Sequence, residues 1–306
     1  MSEYLQPKSI SELKEALRAM TPQSRILAGG TDLMVERRRD HPETDCILSL
    51  SHVPELRGIG LVPGAAGGTD LLRIGSMETH DRIAGNPLVR QYFPALAEAC
   101  ASVGSQQIRN RGTIGGNLCN ATPADDTMPC VTLFGGELEI LNADGQMRRL
   151  PVSELVTDFG QTCLKPEEVI TAVYLPVQPG RKSSFIKLGS RKAVTIAQLS
   201  MAVFWETDGE GQVQSAEGCL GAVSLHPLPF PELGRILAGG ATDPAGELAD
   251  VIRGRIREIR QSRRRPPKMK ITEAEQLYKE RAARAVTEDL TDRIRCAGRS
   301  SDGSNG

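Results

Sequence analysis

Between residues 107 and 126 the chain reads Gln107-Ile-Arg-Asn-Arg-Gly-Thr-Ile-Gly-Gly-Asn-Leu-Cys-Asn-Ala-Thr-Pro-Ala-Asp-Asp126, a segment dense in glycine and short polar side chains. Glycines let a backbone pass close to a pyrophosphate or a flat ring, and Thr113, Asn117 and Thr122 could hydrogen-bond phosphate or sugar-alcohol oxygens. The same letters could also form a Gly/Asn-rich turn before a helix capped by Asp126. Spacing alone leaves both interpretations open.

A second glycine segment, Ile26-Leu-Ala-Gly-Gly-Thr-Asp-Leu33, shares its words with two other places in the chain. Ala-Gly-Gly-Thr-Asp-Leu recurs at residues 66–71, and Arg-Ile-Leu-Ala-Gly-Gly occurs at residues 25–30 and again at 235–240. An anion site needs a strand before the glycines and a helix start after them. Only the segment at 26–33 has both flanks, so we predict a hairpin turn at 66–71 and a connection before a helix at 235–240.

The composition argues against several classes of protein. Lys plus Arg (37) and Asp plus Glu (38) nearly cancel over 306 residues, so no global field would attract nucleic acid or an anionic membrane. No apolar run reaches the roughly 20 residues of a membrane span, and the N-terminus lacks a signal-peptide pattern, which predicts a cytoplasmic protein. The cysteines and histidines lack ligand spacing, so we expect no metal site.

The order of the predicted elements indicates two domains and a tail. Strand, helix and hairpin patterns fill residues 1–177 and end in the strand Val169-Ile-Thr-Ala-Val-Tyr-Leu-Pro176. A linker-like stretch follows, and then three strand patterns and two helical patterns. We therefore predict domains at 1–177 and 178–295, with the polar, Gly/Ser-rich end, residues 296–306, as a disordered tail.

Residues 253–270 contain nine Lys or Arg in eighteen positions, without aromatic residues between them. Such a run is typical of a solvated helix face and loop. A surface that docks onto an acidic partner is the alternative.

Taken together and in this order, residues 26–33 and 107–129 resemble the FAD-binding subunit or domain of the xanthine dehydrogenase family of molybdenum hydroxylases. The resemblance extends over about residues 1–199 and weakens in the final third. It implies an α+β protein: a two-subdomain FAD-binding fold of the vanillyl-alcohol oxidase type, followed by a smaller C-terminal α+β domain with an antiparallel sheet and helices. It also implies FAD as the cofactor.

The resemblance assigns cofactor contacts to the two glycine segments. Residues 26–33 would wrap the FAD pyrophosphate, and the assigned positions between 113 and 117 would complete that pocket. Asp126 matches the family's acidic position in Thr122-Pro-Ala-Asp-Asp126 and would contact FAD hydroxyls, but Asp125 replaces the usual Ser, so the division of roles between the two acids stays open. The assigned positions in the two segments are Ile26, Leu27, Ala28, Gly29, Gly30, Thr31, Asp32, Leu33, Thr113, Gly115, Gly116 and Asn117.

Three further positions are implied by the resemblance. Ile170 matches an apolar residue that contacts the adenine or ring end of the cofactor. Lys187 matches a basic residue near the flavin, although strand alternation alone would also make it a solvated lysine. Ile196 matches a loop residue that can cover one face of the flavin.

The implied function is that of an oxidoreductase subunit without catalytic residues of its own, because the cofactor supplies the chemistry. Electrons from a molybdopterin-binding catalytic subunit would pass through the [2Fe–2S] clusters of another partner subunit to FAD here, and then to an acceptor such as NAD. The alternative is a stand-alone FAD-dependent oxidoreductase of the vanillyl-alcohol oxidase fold, which would need a Tyr, His or acidic base beside the flavin; the matched segments contain no Tyr or His. An assembly protein without cofactor is disfavoured by the intact glycines.

Overall fold

The computed structural model describes residues 3–64, 68–191, 194–261 and 272–299. Three main sheets, of three, five and four strands, and a two-stranded hairpin follow one another along the chain. Helices pack beside the main sheets, so the mixed α+β architecture expected from the sequence is confirmed.

The first sheet is parallel and small. Its strands β1 (Glu3–Leu5), β2 (Arg25–Leu27) and β3 (Cys46–Ser49) lie in the order β1-β3-β2. Between them run α1 (Ile10–Arg18) and α2 (Leu33–Asp40). Ser9 caps α1 by accepting a hydrogen bond from Glu12 N, as the sequence predicts.

The second sheet is antiparallel, and several short helices cover it. Its strands lie in the order β4-β5-β10-β6-β7. The segment between β5 and β6 contains the α-helices of this layer. Within it, the chain at Gly112 lies close to Gly29, which follows the first sheet's strand β2. The bounds are β4 (Ile59–Val62), β5 (Leu71–Gly75), α3 (His80–Gly85), α4 (Pro87–Tyr92), α5 (Pro94–Ser102), α6 (Gln106–Arg109), α7 (Ile114–Asn120), α8 (Thr127–Leu133), β6 (Glu137–Asn142), β7 (Met147–Pro151), the hairpin β8 (Val156–Asp158) and β9 (Gln161–Thr162), and β10 (Glu168–Pro176).

The third sheet is also antiparallel and is covered by the C-terminal helices. Strands β11 (Lys182–Gly189), β12 (Ala197–Thr207), β13 (Val213–Gly221) and β14 (Leu228–Pro229) pair in chain order, followed by α9 (Glu232–Ala238), α10 (Pro244–Gln261) and α11 (Glu273–Arg299). Phe185 and Ala202 of this sheet belong to the apolar core of the second sheet. The two parts of the chain therefore share buried surface, and the domain boundary at 177/178 stays a prediction.

Three expectations need correction or lie outside the described residues. Residues 235–238 form the last turn of α9 and not a connection before a helix, because Leu233 and Ile236 pack into the core of the third sheet. Helix α11 runs to Arg299, so residues 296–299 are helical and do not belong to a disordered tail. Residues 65–67, 262–271 and 300–306, which include parts of the 66–71 turn, the basic run and the tail, lie outside the described residues.

Candidate functional site

One cavity of about 590 Å³ is bordered by the first and second sheets and by both glycine segments. Its size is in the range of small-molecule and cofactor sites. We call residues 26–33 the first glycine loop and residues 112–117 the second. The sequence-predicted residues that line the cavity are Ile26, Ala28, Gly29, Gly30, Thr31, Asp32, Leu33, Thr113, Gly115, Gly116, Asn117 and Ile170.

The first glycine loop lies against the chain just before the second. A Cβ placed on Gly29 would lie 2.1 Å from the carbonyl oxygen of Arg111, a distance that no side chain can adopt. Gly30 has a φ of 75°, in the left-handed region that favours glycine. Among the described residues, the backbone N–H groups of Gly30 and Thr31 have no hydrogen-bond acceptor. Both residues line the cavity, so these two N–H groups are available as donors beside it.

The second glycine loop opens helix α7. Thr113 is the N-cap, and its Oγ1 accepts a hydrogen bond from Gly116 N at 3.1 Å. A Cβ on Gly115 would lie 2.8 Å from Ser76 Cβ, and a Cβ on Gly116 would lie 3.5 Å from Ala28 Cβ. A larger residue than glycine at position 115 would therefore collide with Ser76 of the same chain, which the sequence alone did not predict.

A buried network of polar side chains holds the Asn117 side chain in place. Asn117 Nδ2 donates to Asp125 Oδ1 at 3.1 Å, and Asn117 Oδ1 accepts from Thr127 Oγ1 at 2.6 Å. The other oxygen of Asp125 accepts a hydrogen bond from Thr122 N at 3.1 Å. Burial raises the pKa of Asp125 to about 7, although the hydrogen bonds from Thr122 oppose that rise. Asp125 is a structural acid whose two oxygens are both occupied.

Asp126 and Lys187 form a buried ion pair. Lys187 Nζ lies 2.5 Å from Asp126 Oδ2 and also donates to the carbonyl oxygen of Ser102 at 3.1 Å. Burial raises the pKa of Asp126 to about 6, and the charge of Lys187 opposes that rise. The interpretation of Lys187 as a solvated lysine is wrong, since its side chain is 9% exposed. Asp126 occupies the predicted N-cap position of α8, but its side chain makes no capping hydrogen bond.

Four of the predicted contact residues do not line the cavity. Leu27 ends β2, and Asp126 and Lys187 form a buried pair. Ile196 is 72% exposed. The other predicted residues line the cavity.

Sequence reasoning missed part of the cavity wall. Ser76 and His80, between β5 and α3, line it, as do residues 162–166 before β10. Neither segment contains a glycine motif, and only the tertiary fold brings them to the loops. A weak signal existed at Thr79, the N-cap of α3, since a cap fixes the direction of the adjacent chain.

Within the described part of the chain, no group of three or more His, Cys, Asp or Glu side chains is arranged to hold a metal ion. None of its helices is long and apolar enough to cross a bilayer.

A mixed α+β protein in which two glycine loops meet at one cavity belongs to the class that binds a phosphate-containing cofactor. Residues 1–178 match the family described as the FAD binding domain in molybdopterin dehydrogenase. The chain belongs to this family.

Named relatives agree with this assignment. The chain is 33% identical over 215 residues to the xanthine dehydrogenase FAD-binding subunit of Escherichia coli O157:H7, covering 69% of this chain and 71% of that protein. It is 31% identical over 245 residues to the carbon monoxide dehydrogenase medium chain of Afipia carboxidovorans, covering 79% and 81%.

A chain of reconstituted CO dehydrogenase from Oligotropha carboxidovorans superposes with a TM-score of 0.80 at 24% identity, covering 97% of this chain and 98% of that one, and this likeness shows the fold. The predicted family, fold class, FAD cofactor and oxidoreductase class are confirmed. The individual cofactor contacts and the localisation stay predictions.

Proposed function

We propose that this chain holds FAD between its two glycine loops as the electron-transfer subunit of a molybdenum hydroxylase complex. Electrons would come from a molybdopterin-binding catalytic subunit through the [2Fe–2S] clusters of a partner subunit, and would leave to an acceptor such as NAD. FAD suits this position because it exchanges electrons singly or as a pair. The observation that carries the proposal is the close approach of Gly29 to Arg111 and Gly112, where the second glycine loop begins, beside one cavity.

In this proposal the first glycine loop binds the diphosphate. The N–H groups of Gly30 and Thr31 are free to donate, and backbone donors that converge on an anion are the usual means of phosphate binding. Thr113 and Asn117 complete the pocket from the opposite side. Ile26 and Ile170 provide apolar surface for a flat ring in the same cavity.

The two acids have different roles in this proposal. Both oxygens of Asp125 are already occupied by the chain, whereas Asp126 Oδ1 is buried and has no hydrogen-bond partner among the described residues. Asp126 is therefore the acid with an oxygen left to accept from an FAD hydroxyl. Lys187 keeps Asp126 in place and balances its charge.

The alternative of a stand-alone oxidoreductase would need a base at the cavity. His80 lines it, but burial and the nearby charge of Arg109 lower the pKa of His80 to about 4. An imidazole with so low a pKa is a weak proton acceptor at neutral pH. His80 is therefore a poor candidate for the base that this alternative needs.

NADH tests the electron route without knowledge of the complex's substrate. We expect NADH, added anaerobically to the complex purified with its partners, to bleach the flavin absorption first and the iron–sulfur absorption afterwards. A complex rebuilt with the Gly29→Ala chain should show neither change. Bleaching of the flavin without the clusters would contradict the route, and a flavin that NADH leaves oxidised would contradict NAD as acceptor. Turnover of an organic substrate by the chain alone would favour the stand-alone enzyme.

A further inference from the structure

Residues 76–80, which run from the end of β5 to the first residue of α3, form a third wall of the cavity alongside the second glycine loop. Gly115 N donates to the carbonyl oxygen of Ser76 at 2.9 Å. His80 N donates to the carbonyl oxygen of Gly112 at 3.0 Å. An isolated β-bridge between Thr79 and the glycine loop lies between these two bonds. The wall is therefore held in fixed register against the loop.

Two side chains of this wall have polar atoms that nothing in the described chain satisfies. Ser76 and His80 are each 2% exposed. Ser76 Oγ and His80 Nδ1 have no hydrogen-bond partner among the described residues. Other buried unpaired atoms occur in the described residues, but these two belong to the residues that line the cavity.

Buried polar groups without partners are rare in folded proteins, and a missing ligand or water is one of their common explanations. Both groups here can donate, since a serine hydroxyl and a neutral imidazole each carry one hydrogen. The imidazole is neutral because burial lowers the pKa of His80 to about 4. A Cβ on Gly112 would lie 3.2 Å from His80 Cδ2, so the ring packs directly under the loop.

We propose that Ser76 and His80 donate hydrogen bonds to the diphosphate oxygens of the bound cofactor, as a third binding element beside the two glycine loops. This inference rests on the proposed function, because it takes the cavity to be the FAD site. It adds two side chains that lie outside both glycine motifs.

Affinity for FAD tests the inference on the purified full-length chain. We expect His80→Ala and Ser76→Ala each to weaken FAD binding about 10- to 100-fold, the range for one hydrogen bond to a charged group. His226→Ala, at an exposed histidine near β14, is the matched control and should leave the affinity unchanged. The melting temperature of each apoprotein shows whether the variant has kept its fold.

Two NMR readouts locate the contact. The chain has four histidines, of which His80 is the buried one, so ¹⁵N-histidine labelling should show the ring of His80 shifting when FAD is added. The ³¹P resonances of bound FAD should differ between wild type and either alanine variant, while the flavin absorption bands stay the same.

The outcomes separate this inference from the proposed function. A wild-type chain that binds no FAD overturns both. Normal FAD binding that His80→Ala and Ser76→Ala leave unchanged overturns the inference alone. Weaker binding accompanied by altered flavin bands and unaltered ³¹P resonances would place the two residues at the flavin, and would also overturn it. If a variant loses its fold, the wild-type chain provides the test: His80 ring resonances that do not shift when FAD is added would overturn the inference.

Discussion

Residues 25–30 and residues 235–240 share the sequence Arg-Ile-Leu-Ala-Gly-Gly but adopt different structures. In the first copy, Arg25–Leu27 is strand β2, paired in parallel with β3, and the glycines enter the cavity wall. In the second copy the same letters end helix α9, with Gly239 as its C-cap. Both copies finish with a left-handed glycine, at φ 75° for Gly30 and 68° for Gly240.

The difference comes from what surrounds each copy. Ile236 is 3% exposed and packs into the core of the third sheet, whereas Ile26 is half-buried and lines the cavity. Six identical residues therefore take their secondary structure from tertiary contacts, which commonly override local propensity. Three pairs of matched substitutions in the two copies, and one pair at acids outside them, probe this difference.

The largest effect is expected at Gly29. In Gly29→Ala the new methyl group collides with the carbonyl oxygen of Arg111, so the two glycine loops must separate. We expect FAD affinity to fall by at least about 100-fold, equivalent to ~2.8 kcal/mol. The counterpart Gly239→Ala should destabilise the end of α9 and leave FAD binding intact. Equal loss of FAD in both variants, measured by flavin absorption after desalting, would remove the distinction between the copies.

The shared isoleucine should give opposite results in the two copies. Ile236→Ala removes a buried core side chain, and we expect about 2–5 kcal/mol of lost stability with normal FAD binding below the melting temperature. Ile26→Ala should cost less stability but weaken FAD binding. Denaturant unfolding and FAD titration of both variants provide the two readings. A larger stability loss at Ile26 than at Ile236 would contradict the assigned surroundings.

The first copy also lies near a buried acid. Burial raises the pKa of Asp125 to about 7, and the charge of Asp32 adds a minor contribution in the same direction. Since the folded protein holds this proton more tightly than the unfolded chain, the stabilising contribution is complete below about pH 4 and is lost as the pH rises through 7.

We therefore expect the melting temperature of the apoprotein to fall between pH 5 and 8. In Asp125→Asn this fall should be smaller, by about 2–4 °C for each kcal/mol of unfolding free energy that the Asp125 proton contributes. Asp144→Asn, at an exposed acid, should keep the wild-type slope. A melting temperature that rises over this pH range would mean that Asp125 stays charged in the folded protein.

The smallest effect is expected at the last glycine of each copy. Gly30→Ala and Gly240→Ala both place a Cβ in the left-handed region, which costs about 1 kcal/mol. The two variants should be destabilised to a similar degree, but only Gly30→Ala should also lose FAD affinity. Unfolding curves and FAD titrations compare them directly, and unchanged affinity in Gly30→Ala would exclude that residue from the site.

Local patterns predicted most of the fold. The strand predicted at 169–176, which lies in β10, and the strand and long-helix patterns after the linker were readable, because periodicity is a property of short segments. Helix α9 was missed because residues 235–237 repeat the sequence of strand β2, and its helical state depends on burial of Leu233 and Ile236.

The site was predictable only in part, for a similar reason. Glycine loops have a sequence pattern, but the wall at residues 76–80 reaches the cavity through hydrogen bonds to residues more than thirty positions later. Asp126, at the start of α8, pairs with Lys187 on β11 of the third sheet. No local pattern distinguishes a buried lysine from a solvated one on a strand. The difference between Asp125 and Asp126 likewise appears only in their hydrogen bonds.

The central claim is that this chain binds FAD where the two glycine loops meet. Its most direct test is the visible absorption spectrum of the purified full-length chain after incubation with FAD and desalting, with Gly29→Ala and Gly239→Ala processed in parallel. We expect about one flavin per chain in the wild type and in Gly239→Ala, and little or none in Gly29→Ala. A wild-type chain without flavin, or a Gly29→Ala chain that retains it fully, would contradict the claim.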